Sequence, residues 1–122
     1  MKERSFQTEF GRWIKKNMKT SAAFELKSAR GISLPFSDVQ EHQALALWHA
    51  KHDHIYMKIP DVGFQNPFDC FFLSSVEAYV VIRYGSGRWY AIDIDAFIMA
   101  RDTVGRKSLT EYDAREFAAF IG

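Results

Sequence analysis

AAFELKSARG, residues 22–31, decides how the chain reads. Phe24 and Leu26 alternate with Glu25 and Lys27, and a period of two puts the apolar pair on one face of a strand and the acid and base side by side on the other. A Glu-x-Lys spacing alone is weak, since it arises by chance in roughly every second or third chain of this size. Its surroundings carry the reading.

Upstream, Phe6, Phe10, Trp13 and Ile14 recur at helical spacing between Glu3 and Asn17, with Lys15 and Lys16 near the end where the helix dipole favours cations. Downstream, Gly31 and Pro35 mark a loop, and Ser37 with Gln40 has the form of a capping box opening a helix over 38–52, DVQEHQALALWHAKH. Val39, Gln43, Ala46, Leu47 and Ala50 share one stripe of that helix, so the Gln43 amide enters an apolar face and must find a partner.

The second half holds HIYMKI (54–59), FDCFFLSS (68–75), AYVVIRY (78–84) and RWYAIDI (88–94), rich in aromatic and β-branched residues. The last two flank Gly85-Ser86-Gly87, a hairpin signal, so a mostly antiparallel sheet is expected there. DAFIMARD (95–102) and TEYDAREFAAFI (110–121) read as two short helices, the second turning Tyr112, Phe117 and Phe120 toward the core.

The chain has 122 residues, 48% of them hydrophobic and 16% aromatic, which suits one folded domain and argues against disorder. No apolar run approaches the roughly 20 residues a membrane-spanning helix needs. A charged start without a secretory pattern and the lone Cys70 lead to a cytoplasmic expectation, or a host cytoplasm for a viral gene. Net charge is +1 but uneven: residues 1–31 carry eight Lys/Arg against Glu3, Glu9 and Glu25, a balance of +5, and the rest sums to −4. A basic segment of that kind suits a phosphate backbone; a solvated helix face is the plain alternative.

FELKSARGISLPFSDVQEHQALAL (24–47) combines an acid-x-Lys strand, a Ser-containing basic loop, an LPF segment and a helix bearing His-Gln. In that order it resembles the PD-(D/E)xK nuclease superfamily, most closely the RecU-type Holliday junction resolvases. AYVVIRYGSGRWYAIDIDAFI (78–98) is more loosely similar to that family's later strands and the acid opening its next helix. About two thirds of the chain is covered, and the first segment carries nearly all the specificity.

The resemblance implies an α/β (α+β) fold with a restriction-endonuclease-like core, a central mixed sheet flanked by helices, built from residues 1–122 as one nuclease-like domain. It implies a Mg²⁺-dependent endodeoxyribonuclease, with Mn²⁺ able to substitute, acting on branched DNA as a homodimer. Glu25 and the Leu26 carbonyl would be metal ligands, Lys27 would orient the attacking water, and Gln43 would hydrogen-bond the lysine or substrate. Backbone satisfaction is the alternative for Gln43.

One departure from the family stands out: no Asp lies between Glu9 and Glu25, where an earlier strand should supply a carboxylate. Asp69, in NPFDCFFL (66–73), heads an apolar strand, where an acid is costly unless paired, hydrated or bound to a cation. It is the candidate for a migrated metal ligand; capping the turn after Pro67 is the alternative. Glu9 could add a carboxylate from the first helix, or simply pair with Arg12. Arg30, Ser28 and Ser33 follow the site strand and suit phosphate contacts, with Lys15, Lys16 and Lys19 along the backbone.

Other signals weigh less. His49, His52 and His54 lie near a helix end where the dipole alone favours them, without the cysteine pair of a zinc site. Cys70 reads as a buried, inert thiol. In AIDIDAF, Asp95 is expected to cap the next helix and Asp93 to lie on the exposed face of its strand. Two readings compete with the nuclease: a DNA-binding module on the same scaffold that does not cut, and a structural protein in which Glu25 and Lys27 merely pair.

Overall fold

The computed structural model describes residues 2–18, 21–53, 55–58, 70–73 and 75–122. The chain runs α1 (Lys2–Asn17), β1 (Ala22–Ser28), β2 (Ser33–Pro35), a 3₁₀ turn (Phe36–Asp38), α2 (Glu41–His52), β3 (Ile55–Lys58), β4 (Cys70–Leu73), β5 (Glu77–Arg83), β6 (Trp89–Asp93), α3 (Ile94–Thr103), β7 (Ser108–Thr110), α4 (Glu111–Phe117) and β8 (Phe120–Ile121). This is an α+β arrangement around a mixed four-stranded sheet of order β1-β5-β6-β8, with two-stranded pairings β2-β7 and β3-β4.

β1 and β5 run parallel, with Glu25 beside Val80 and Lys27 beside Ile82. A parallel neighbour requires a crossover, and α2 supplies it. The last turn of α2 is tied to the start of β5 by Val76 N–H donating to the Ala50 carbonyl at 2.9 Å. β5 and β6 then pair antiparallel through the turn at 84–88, where Gly87 takes the positive φ of 87° that the tight connection requires.

Two apolar layers hold the sheet. On one face Phe6 and Phe10 of α1, a helical turn apart, pack with Trp13 and Ile14 against Phe24, Leu26, Val81, Trp89 and Ala91. Their aromatic rings meet mostly edge to face, Phe10 against Phe24 at 4.9 Å and against Trp89 at 5.1 Å. On the other face Val80, Ile82, Tyr90 and Ile92 meet Ala44 and Leu47 of α2, Phe97 and Ala100 of α3 and Ala114 of α4, with Leu34 and Leu109 from the β2-β7 pair. β5 is buried on both faces, which is why AYVVI reads as a continuous apolar run.

Four local expectations change. The segment read as loop contains β2, paired with β7. Ser37 lies in the 3₁₀ turn, and the capping box is formed one turn later: Gln40 is the N-cap of α2 and its backbone N–H donates to Gln43 Oε1 at 3.0 Å. Starting at Glu41, α2 buries Ala44 and Leu47, while Ala46 is exposed. Tyr112 is 68% exposed, because α4 turns Ala114 and half-buried Phe117 inward and Phe120 belongs to β8.

Candidate active site

Glu25 and Lys27 emerge from β1 on the face that carries Val80 and Ile82, toward α2 and α3. They are mostly covered, Lys27 exposing 18% of its side chain and Glu25 27%, and their charged ends lie 3.4 Å apart. The lysine stem can run along the apolar layer while its ammonium stays at the sheet margin.

β1 is the outer strand of the four-stranded sheet, and the ladder fixes where its backbone groups point. Ala29 N–H donates to the Arg83 carbonyl at 2.8 Å, so the odd-numbered residues 25, 27 and 29 direct N–H and C=O toward β5. Successive residues alternate, and the Leu26 carbonyl therefore faces away from β5, between the two charged side chains. A carboxylate and a carbonyl are hard oxygen donors of the kind Mg²⁺ takes while retaining several waters, so this donor set fits the ion. Among the described residues no group of three or more His, Cys, Asp or Glu gathers to hold a metal, at Glu25 or at any other place. Asp69 lies outside the described residues, as does Lys19.

The remaining residues divide by position. Gln43 stands in the first turn of α2 and spends its side-chain oxygen on the Gln40 backbone, the self-contained role weighed for it. Ser28 shares the α1-facing parity of Phe24 and Leu26, and its hydroxyl is buried without a hydrogen-bond partner among the described residues. Arg30 is exposed in the loop after β1, and Ser33 is half-buried in β2 opposite Thr110.

Glu9 is not brought to this pair. It lies in the α1 layer, across the sheet, and its partner is Arg83 at 3.6 Å rather than Arg12. The Arg83 guanidinium also sits 4.8 Å over the ring of Phe6. Lys15 and Lys16 are exposed in the last turn of α1, toward the start of β1. A groove of about 670 Å³ lined by Arg12, Trp13, Lys16 and Trp89 runs along that helix, away from Glu25 and Lys27.

A second ionic cluster joins the end of α2 to the start of α3. Asp93, not Asp95, caps α3, its carboxylate accepting from Asp95 N–H at 2.9 Å. Helix α3 begins one residue early, and that frees Asp95 to accept from Lys51 at 2.7 Å and to meet His52 at 2.9 Å. Lys51 also donates to both Asp93 oxygens at 2.8 Å. Hydrogen bonds to Asp93 and then Asp95 raise the Lys51 pKa well above the ordinary lysine range despite desolvation, and the Lys51 bond lowers that of Asp95. The signal was the charge complementarity of HAKH with DID, separated by 42 residues in sequence. Lys51 filled by two carboxylates is a clamp between α2 and α3, not a free base.

At the opposite end of the sheet, Glu111 accepts from Ser86 at 2.6 Å and Tyr90 at 2.8 Å, which lowers its pKa and ties the β5-β6 turn to α4. Among the described residues no helix is long and apolar enough to cross a membrane. No family model, curated protein or solved structure matches this chain.

Proposed function

We propose that the chain is a metal-dependent DNA endonuclease of the PD-(D/E)xK type, similar to the RecU-type Holliday junction resolvases, with a restriction-endonuclease-like core and a homodimeric form suited to a twofold-symmetric junction. The observation that carries this reading is the placement of Glu25 and Lys27 on one face of an edge strand, 3.4 Å apart, with the Leu26 carbonyl turned outward between them.

Glu25 and the Leu26 carbonyl would hold Mg²⁺ or Mn²⁺, with Asp69 as the proposed third ligand. The bound cation supplies Lewis-acid polarisation of the phosphoryl group and a nucleophilic water at neutral pH. Lys27 orients that water and offsets the negative charge that builds on the phosphoryl oxygens, where a fixed cation in a partly dry margin acts more strongly than in bulk water.

The direct ion pair between Glu25 and Lys27 favours one second reading, a DNA-binding module that does not cut. Cleavage of labelled four-way junction, flap, duplex and single-stranded DNA with Mg²⁺, Mn²⁺ or EDTA separates the two. Metal-dependent nicking lost in Glu25→Gln and Lys27→Ala supports the nuclease, and loss in Asp69→Asn extends the site to that residue. Binding in EDTA without cleavage in any metal overturns it in favour of the module.

A further inference from the structure

Because β1 and β5 are parallel, their carboxyl ends meet at one end of the sheet, and Lys27 is the penultimate residue of β1. In open parallel α/β sheets ligands gather outside the carboxyl ends of the strands, and β1-β5 is the parallel pair of this mixed sheet. Three segments converge there. Gly85 N–H donates to the Gly31 carbonyl at 2.9 Å, joining the loop after β1 to the β5-β6 turn. Glu111 N–H donates to the Ile32 carbonyl at 2.7 Å, joining the same loop to the start of α4. Ser86 closes the triangle by donating to the Glu111 carboxylate.

The rim they form is cationic. Arg30 and Arg88 are exposed in two of these segments, Arg115 is exposed one turn along α4, and Arg106 and Lys107 are exposed just ahead of β7. Arg106 is engaged by Asp113, whose pKa is lowered: desolvation, which raises it, is outweighed by bonds from Arg106 and Thr110. Glu111 is turned to Ser86 and Tyr90, and Arg115 and Arg88 both bear on it electrostatically without forming an ion pair with it among the described residues. Glu116, next to Arg115, is the remaining exposed acid of α4. Beside these charges Ile32 is 73% and Tyr112 68% exposed, an apolar pair against which a sugar or unstacked base could lie.

We propose that this rim holds the phosphodiester backbone of DNA, with Arg88 and Arg115 as its central phosphate contacts and Arg30 and Lys107 at its margins. The assignment rests on the nuclease reading above and changes where the substrate lies: along the end of the sheet adjoining Lys27, not along the lysines of α1. Lys15 and Lys16 belong to α1, and Lys16 lines the groove with Trp13 and Trp89 on the face of the sheet that α1 covers, whereas the rim continues directly from Lys27 through Ser28 to Arg30.

The test is fluorescence anisotropy with labelled duplex and four-way-junction DNA in EDTA, from about 50 to about 200 mM salt, alongside Mg²⁺-dependent cleavage by the same proteins. Arg88→Ala/Arg115→Ala should weaken binding at least about tenfold and reduce the slope of log affinity against log salt by nearly two, about 0.9 per phosphate contact removed. Arg30→Ala/Lys107→Ala, in segments where neither side chain forms an ion pair among the described residues, should weaken it about three- to tenfold and serves if the first variant unfolds. Both variants binding like wild type with an unchanged slope overturns the rim, as does loss confined to Lys15→Ala/Lys16→Ala. If wild type cuts while the rim variants bind normally, only the rim assignment falls; if wild type neither binds nor cuts, the nuclease reading falls and the rim with it.

Discussion

The Nζ of Lys51 lies 2.8 Å from both oxygens of Asp93 and 2.7 Å from Asp95, whereas Lys27 has one acid partner among the described residues, Glu25 at 3.4 Å. Both lysine side chains are mostly covered, Lys27 on β1 and Lys51 on α2, so burial does not separate them. Saturation does. Lys51 has its donors committed to carboxylates at hydrogen-bond distance, an arrangement that fixes α2 against α3 and leaves little for another ligand. Lys27 and Glu25 touch at a distance too long for a strong hydrogen bond, beside an outward carbonyl, and can exchange partners at low cost.

Removing each lysine in turn should break the comparison in opposite directions. Under the nuclease reading Lys27→Ala should lower cleavage by a factor on the order of 10²–10³ while costing at most about 1 kcal/mol of stability. Measured by single-turnover cleavage and urea unfolding together, a large stability loss with unchanged turnover would reverse the roles assigned to the pair. Gly85→Ala comes next. A Cβ there would stand 2.8 Å from the Arg30 carbonyl, a backbone atom, so the loop after β1 must shift; about 1–3 kcal/mol of destabilisation and weakened DNA binding should appear together. Lys51→Ala should cost about 1–2 kcal/mol, since both carboxylates it bridges retain access to water, and should leave DNA binding in EDTA within a factor of about two.

The smallest effect is the dependence on acid. Because Lys51 lowers the Asp95 pKa, the contribution of that carboxylate is complete above its ordinary value of 3.8 and is lost as pH falls through the lower value it has when folded. Asp95→Asn should therefore flatten the acid limb of a thermal-unfolding profile below about pH 4, with little change near neutrality. An unchanged acid limb would remove Asp95 from the clamp. The Lys51 contribution has the other sign, complete below its ordinary value of 10.5 and lost as pH rises beyond it.

What the sequence made legible was local. Phe6, Phe10 and Trp13 announce α1 because one stripe repeats every turn, and Phe24 and Leu26 orient β1 because one face must bury. The Gly85-Ser86-Gly87 hairpin needed no information beyond itself. Long-range pairing was hidden: nothing in AYVVIRY favours β1 as a parallel neighbour over another strand, and a three-residue β2 offers no period to detect. Tyr112 is exposed because α4 stops at Phe117 and buries Ala114, so the stripe expected of a helix running on to Ile121 does not form. The cap moves two residues, from Asp95 to Asp93, and that shift decides which aspartate is left for Lys51. Glu9 looked available to the site because a helix face is readable from sequence, while the side of the sheet it covers is not.

The aromatic layer under α1 has an optical consequence. Trp13 and Trp89 meet edge to face with ring centres 5.0 Å apart, while Trp48 belongs to α2, its ring tilted against that of His52 with centres 4.6 Å apart. Two indoles that close share their electronic transitions, so attachment of α1 writes its own circular-dichroism band. Trp48 reports α2 separately, through the imidazole that lies against its ring. One chain thus carries two spectroscopic reporters, one for each layer that covers its sheet, with no added label.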